Sequence, residues 1–105
     1  MTITYMQNSH LKDRRAVIEI EPKIAARALP VLMDAGFRIV GSASSRGLPN
    51  DIVRLVIAGD ALPEECAGDG LLLVTMVFEV EAYGEQRITR VKHVQAVKGA
   101  EPIVA

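Results

Sequence analysis

The 105-residue chain has one cysteine, no tryptophan, two tyrosines, two phenylalanines and two histidines. A single cysteine, Cys66, excludes an internal disulfide framework and the clustered thiolates of a structural zinc site. With so few aromatics, a core has to be assembled from Val, Ile, Leu, Met and Ala, and there is no interleaved aromatic platform for stacking single-stranded bases. Long hydrophobic runs are missing too. Leu71 to Val80, the longest nearly apolar stretch, holds Thr75 and Glu79 and falls far short of the roughly 20 residues a bilayer-spanning helix needs. In the first twenty residues Asn8, His10, Lys12 and Asp13 leave no room for a signal-peptide core. The expectation is a cytoplasmic protein with no membrane partner. Twelve Lys and Arg against thirteen Asp and Glu give a formal charge of −1, which argues against a globally basic nucleic-acid binder.

Half of the residues are hydrophobic and 24% are charged, the composition of a folded chain of single-domain length. Residues 1–12 are polar and mixed, with Ile3 and Tyr5 alternating with Thr2 and Thr4, and read as a flexible arm or an extra edge strand. Residues 13–98 read as one α+β domain and 99–105 as a C-terminal tail. From Arg15 to Glu21, Ala16, Ile18 and Ile20 point one way and Val17, Glu19 and Glu21 the other, the pattern of a strand wet on one face. Pro22 then suits the first position of a helix, where its missing N–H would have no partner anyway. Ile24, Ala28, Val31, Leu32 and Ala35 form its apolar stripe, and Gly36 closes it. Pro30 falls inside, and the register on both sides of it predicts one bent helix.

Phe37 to Gly41 reads as a second strand with Phe37 and Ile39 facing the core, completing a βαβ unit. Gly41 to Asp51 has turn formers at nearly every place and reads as a loop. Ile52 to Gly59, apolar except for Arg54, predicts a third strand, and Pro63 to Ala67 a single helical turn. Leu71 to Ala82 and Arg87 to Ala96 predict a long hairpin with a type II′ turn at Gly84-Glu85. That register sets Phe78 opposite Val91, Met76 opposite His93, and Glu79 opposite Arg90. The predicted fold is therefore a two-layer α+β sandwich, one helix on a mainly antiparallel sheet in the order β-α-β-β-β-β. One short helix cannot cover both faces of such a sheet. Leu71, Leu73 and Val77, opposite Phe78, need another cover, and a second copy of the chain is the expected one. Tyr83 beside the turn either shields the adjacent core or presents an aromatic to that partner.

Few residues carry chemistry. Ser42, Ser44, Ser45 and Arg46, between Gly41 and Gly47, offer hydroxyls and a guanidinium to a small anion, although the stretch lacks a P-loop ending and fits a solvated turn as well. Arg87, Arg90, Lys92 and Lys98 share the last strand region without an acid, but Arg87 and Lys92 differ in parity and Arg90 has Glu79 across the hairpin, so a nucleic-acid partner is not expected. His93 is expected beside Met76 as a core-edge histidine. His10 and Cys66 make no zinc spacing with it, and Glu64 and Glu65 would raise the thiol pKa of Cys66. No catalytic residue, metal site or cofactor is assigned. The sequence points to a small non-enzymatic domain that associates with itself or a partner protein through its C-terminal hairpin, with a small-anion sensor at the 41–51 loop as the alternative.

Overall fold

The computed structural model describes residues 14–68, 70–81, 87–99 and 101–103. Strand β1 (Arg15–Ile20) leads into helix α1 (Pro22–Asp34), followed by β2 (Arg38–Ala43), β3 (Val53–Ala58), a 3-10 turn (Glu64–Ala67), β4 (Leu72–Glu81) and β5 (Arg87–Ala96). The strands form one mixed sheet in the order β2-β3-β1-β4-β5, with α1 packed on one side. The α+β architecture is the one expected. The N-terminal arm and the Gly84-Glu85 turn lie outside the described residues.

Helix α1 begins with Pro22 in its first turn and contains Pro30 without breaking. Pro30 leaves the Ala26 carbonyl without an i+4 donor, and both residues sit on the exposed side, where water supplies the partner. The helix ends in a Schellman arrangement: Gly36 N–H donates to the Met33 carbonyl at 3.1 Å and Phe37 N–H to the Leu32 carbonyl at 2.9 Å. Gly36 takes a φ of 89° to make this possible, a conformation costly for any residue with a Cβ.

The βαβ unit is split. β3 pairs antiparallel with both β1 and β2, so β1 and β2 run parallel but are not neighbours. The composition of β3 explains its interior place between β2 and β1: Val56, Ile57 and Ala58 are all buried, so this strand is covered on both faces. β2 becomes an outer strand. Ile39, expected in the core, pairs with Ile57 yet remains 38% exposed, because the sheet ends there. β2 also runs past Gly41 through Ser42 and Ala43, which the sequence places in a loop.

The face under α1 carries Ala16, Ile18 and Ile20 of β1, Ile57 of β3 and Val74 of β4, packed against Ala28 and Leu32 of the helix. Leu62 and Cys66 extend this cover beyond the helix. Arg14 anchors their loop, its Nη1 donating to the carbonyl of Leu62 at 2.8 Å and that of Asp60 at 3.3 Å. The opposite face is not simply wet. Val17 is as buried as Ala16, in a smaller cluster with Ala43 and Val56.

In the hairpin, Phe78 faces Val91 and Glu79 faces Arg90 as expected, but Met76 faces Val94, and His93 lies opposite Val77. Two bulges on β5 cause the difference: Lys92 and Thr89 each stand as an extra residue against β4. They are needed because Ile88, Val91 and Val94 recur every third residue, and strict alternation would bury only every other one. Each bulge resets the parity, so all three pack toward the helix-side core. Thr89 Oγ1 donates to the Glu79 carbonyl at 3.1 Å, giving the interrupted ladder a partner. His93 is consequently exposed on the other face rather than tucked beside Met76.

Candidate functional site

The face of the sheet that α1 leaves uncovered is built on Val17, Ala43 and Val56, which are buried. Half-buried Leu71 and Leu73 pack against them, joined by Ile103. Ile103 reaches this position because its N–H donates to the Leu71 carbonyl at 2.7 Å and forms an isolated antiparallel bridge there. Residues 101–103 thus return to the sheet beside β4. Further along β4, Thr75 and half-buried Val77 continue the same face, opposite Gln95 and His93. Leu71 to Val77 covers about 20 Å at the rise of an extended strand.

Two ion pairs border this apolar row: Glu79–Arg90 just past its Val77 end, and Glu19–Arg54 alongside it, two residues on from the Val17–Leu73 pairing. Arg54 Nε donates to Glu19 Oε2 at 3.0 Å, and its Nη1 donates to the Ser44 carbonyl at 3.1 Å. Arg90 Nε donates to Glu79 Oε2 at 2.6 Å. Each pair is locally neutral, so the apolar row is bordered by balanced polar groups at its Val77 end and along one side. Among the described residues the outer strands of the sheet are β2 and β5, and both carry bulges, at Val40 in β2 and at Thr89 and Lys92 in β5. Bulges and edge cations hinder strand addition, so the sheet is better prepared for contact through its face than through its edges.

Of the anion candidates, Ser42 lies on β2 and Ser44, Ser45 and Arg46 in the connection that follows it. Ser42 pairs with Leu55. Ser44 Oγ accepts the Arg46 N–H, and Ser45 Oγ accepts the Arg54 N–H, both at 3.3 Å. These two hydroxyls serve the turn between β2 and β3, while the Arg46 residue is exposed. Tyr83, the fourth interface candidate, lies outside the described residues.

Cys66 is buried in the helix-side core. Burial pushes its thiol above the ordinary value, the Glu65 carboxylate adds to the rise, and the Arg14 guanidinium opposes it. A thiol held neutral in this way packs as a small hydrophobe and lacks the thiolate character of a nucleophile. Among the described residues, no three His, Cys, Asp or Glu side chains cluster to hold a metal ion, and no helix is long and apolar enough to cross a membrane.

Leu29 and Met33 widen the apolar stripe of α1 in the sequence, yet this flank of the helix stays uncovered. Met33 is 63% exposed and Leu29 40%, one helical turn apart, and Val40 of β2 is 43% exposed. Leu29 and Met33 extend the stripe past the arc one sheet face can bury. No known protein family, curated protein or solved structure matches this chain.

Proposed function

We propose that this chain is a small non-enzymatic domain that works by self-association, joining two copies through the sheet face opposite α1. The observation that carries the reading is the row Leu71, Leu73 and Val77, over which no helix packs among the described residues. An interface needs a desolvated centre and a polar rim, and this face has an apolar row bordered by the Glu79–Arg90 pair past its Val77 end and the Glu19–Arg54 pair alongside. A twofold axis through the row sets apolar side chains against their own counterparts and leaves both ion pairs near water. The competing occupant of the same surface is a different protein.

Sedimentation equilibrium of the full chain and of Val77→Glu tests the reading. The full chain is expected to dimerise, and the variant to weaken the dimer roughly thirtyfold or more, as expected when a buried apolar contact worth ~2 kcal/mol is replaced by a charge. A full chain that stays monomeric, or an unchanged dimer in the variant, would overturn it. The sensor reading at Ser42, Ser44, Ser45 and Arg46 draws less support, because two of its hydroxyls already accept backbone N–H groups.

A further inference from the structure

On the helix side of the sheet, α1 does not close over the start of β5. A groove of about 590 Å³ runs between them, within the size range of small-molecule sites. It adjoins a smaller recess of about 120 Å³, and the two share Arg27 and Ile88. The recess is apolar, walled by Ile24, Phe78 and Val80. Val80 is 47% exposed inside this concavity, a large apolar side chain with little to cover it. Arg27 from the helix and Arg87 from β5 both line the groove, and neither guanidinium has a hydrogen-bond or ion-pair partner among the described residues.

We propose that this trough binds an apolar carboxylate, its chain lying in the Phe78–Val80 recess and its carboxylate between Arg27 and Arg87. A guanidinium presents a planar fork of donors that matches a carboxylate, and Arg stems extend the apolar wall that leads to it. Two guanidiniums at one groove repel each other unless an anion lies between them. The recess beside them has no polar wall except Arg27, which selects against inorganic anions and favours a hydrocarbon body. Asp34 also lines the groove, seven residues from Arg27 and so about 10 Å along the helix axis, away from the recess. This site is independent of the proposed dimer face, which lies on the other side of the sheet.

Backbone amide spectra of the full chain titrated with decanoate, below its micelle concentration, test the proposal. Saturable shifts are expected at Val31, Ile88 and Thr89. Decanol, which lacks the charge, and inorganic phosphate, which lacks the chain, should each bind at least about tenfold more weakly, as the loss of a charge-assisted bond or of buried methylenes requires. The Arg27→Ala/Arg87→Ala double variant should weaken decanoate by a similar factor, and Val80→Glu should do so without touching either arginine. The same spectra report whether each variant is folded. No saturable shift, unchanged affinity in both variants, or phosphate binding as tightly as decanoate would overturn the proposal.

Discussion

The two faces of the sheet are built from neighbouring residues of the same strands, yet they differ in how burial is achieved. On one, α1 and the Leu62–Cys66 segment lie across Ala16, Ile18, Ile57 and Val74 and exclude water from a continuous core. On the other, Val17, Ala43 and Val56 are buried without any helix, by their strand neighbours and by Leu71, Leu73 and Ile103. The first face is finished within the chain except at the trough beside the start of β5. The second is finished only at its centre, and its outer apolar residues stay half-buried. Backbone pairing and close side-chain packing can hide small β-branched residues in the middle of a sheet, but larger side chains near its margin need a second layer.

The same substitution on each face should expose the difference. Leu32→Ala, at a site 1% exposed, should cost about 2–5 kcal/mol in chemical denaturation, whatever the protein concentration. Leu73→Ala should cost less in dilute solution, about 1–2 kcal/mol for a half-buried side chain, and its cost should grow as concentration rises and the second copy binds. Equal losses at both sites, independent of concentration, would erase the distinction.

Cys66 sharpens the comparison from the closed side. Its folded pKa is raised, so below the ordinary value of 9.0 the thiol is neutral in both states and contributes no pH dependence. Above that value the unfolded chain gives up its proton first, and stability falls with rising pH until the folded thiol also ionises. Denaturation curves from pH 8 upward should show that decline, and Cys66→Ala should remove this component of it. The smallest effect belongs to the open face: Glu79→Gln should cost only roughly 0.2–1 kcal/mol, since the pair with Arg90 is well exposed, and added salt should shrink the difference further.

Local features of this fold were legible in the residues. Pro22 and Gly36 bracket α1, the register either side of Pro30 carries the helix through it, and the charge match of Glu79 with Arg90 sets the centre of the hairpin. Features that depend on distant partners were not. The insertion of β3 between β1 and β2 follows from its need for burial on both faces, which becomes a neighbour relation only when the sheet assembles. Val17 looked solvent-facing because Glu19 and Glu21 share its parity, yet Val56 and Leu73 close over it from other strands. Strict alternation through β5 would set His93 beside Met76, whereas the three-residue spacing of Ile88, Val91 and Val94 requires bulges that turn it to the other face. The extent of β2 was not legible either: it continues through Ala43 and takes in Ser42, while Ser44, Ser45 and Arg46 follow it.

The most direct test of the central claim is methyl spectroscopy of the full chain with a soluble paramagnetic relaxation agent, at concentrations above and below dimer formation. The account predicts that the methyls of Leu71, Leu73 and Val77 are shielded at high protein concentration and become accessible on dilution, while Leu32 is shielded throughout and Met33 at neither. Open-face methyls with the same accessibility at every concentration would contradict it.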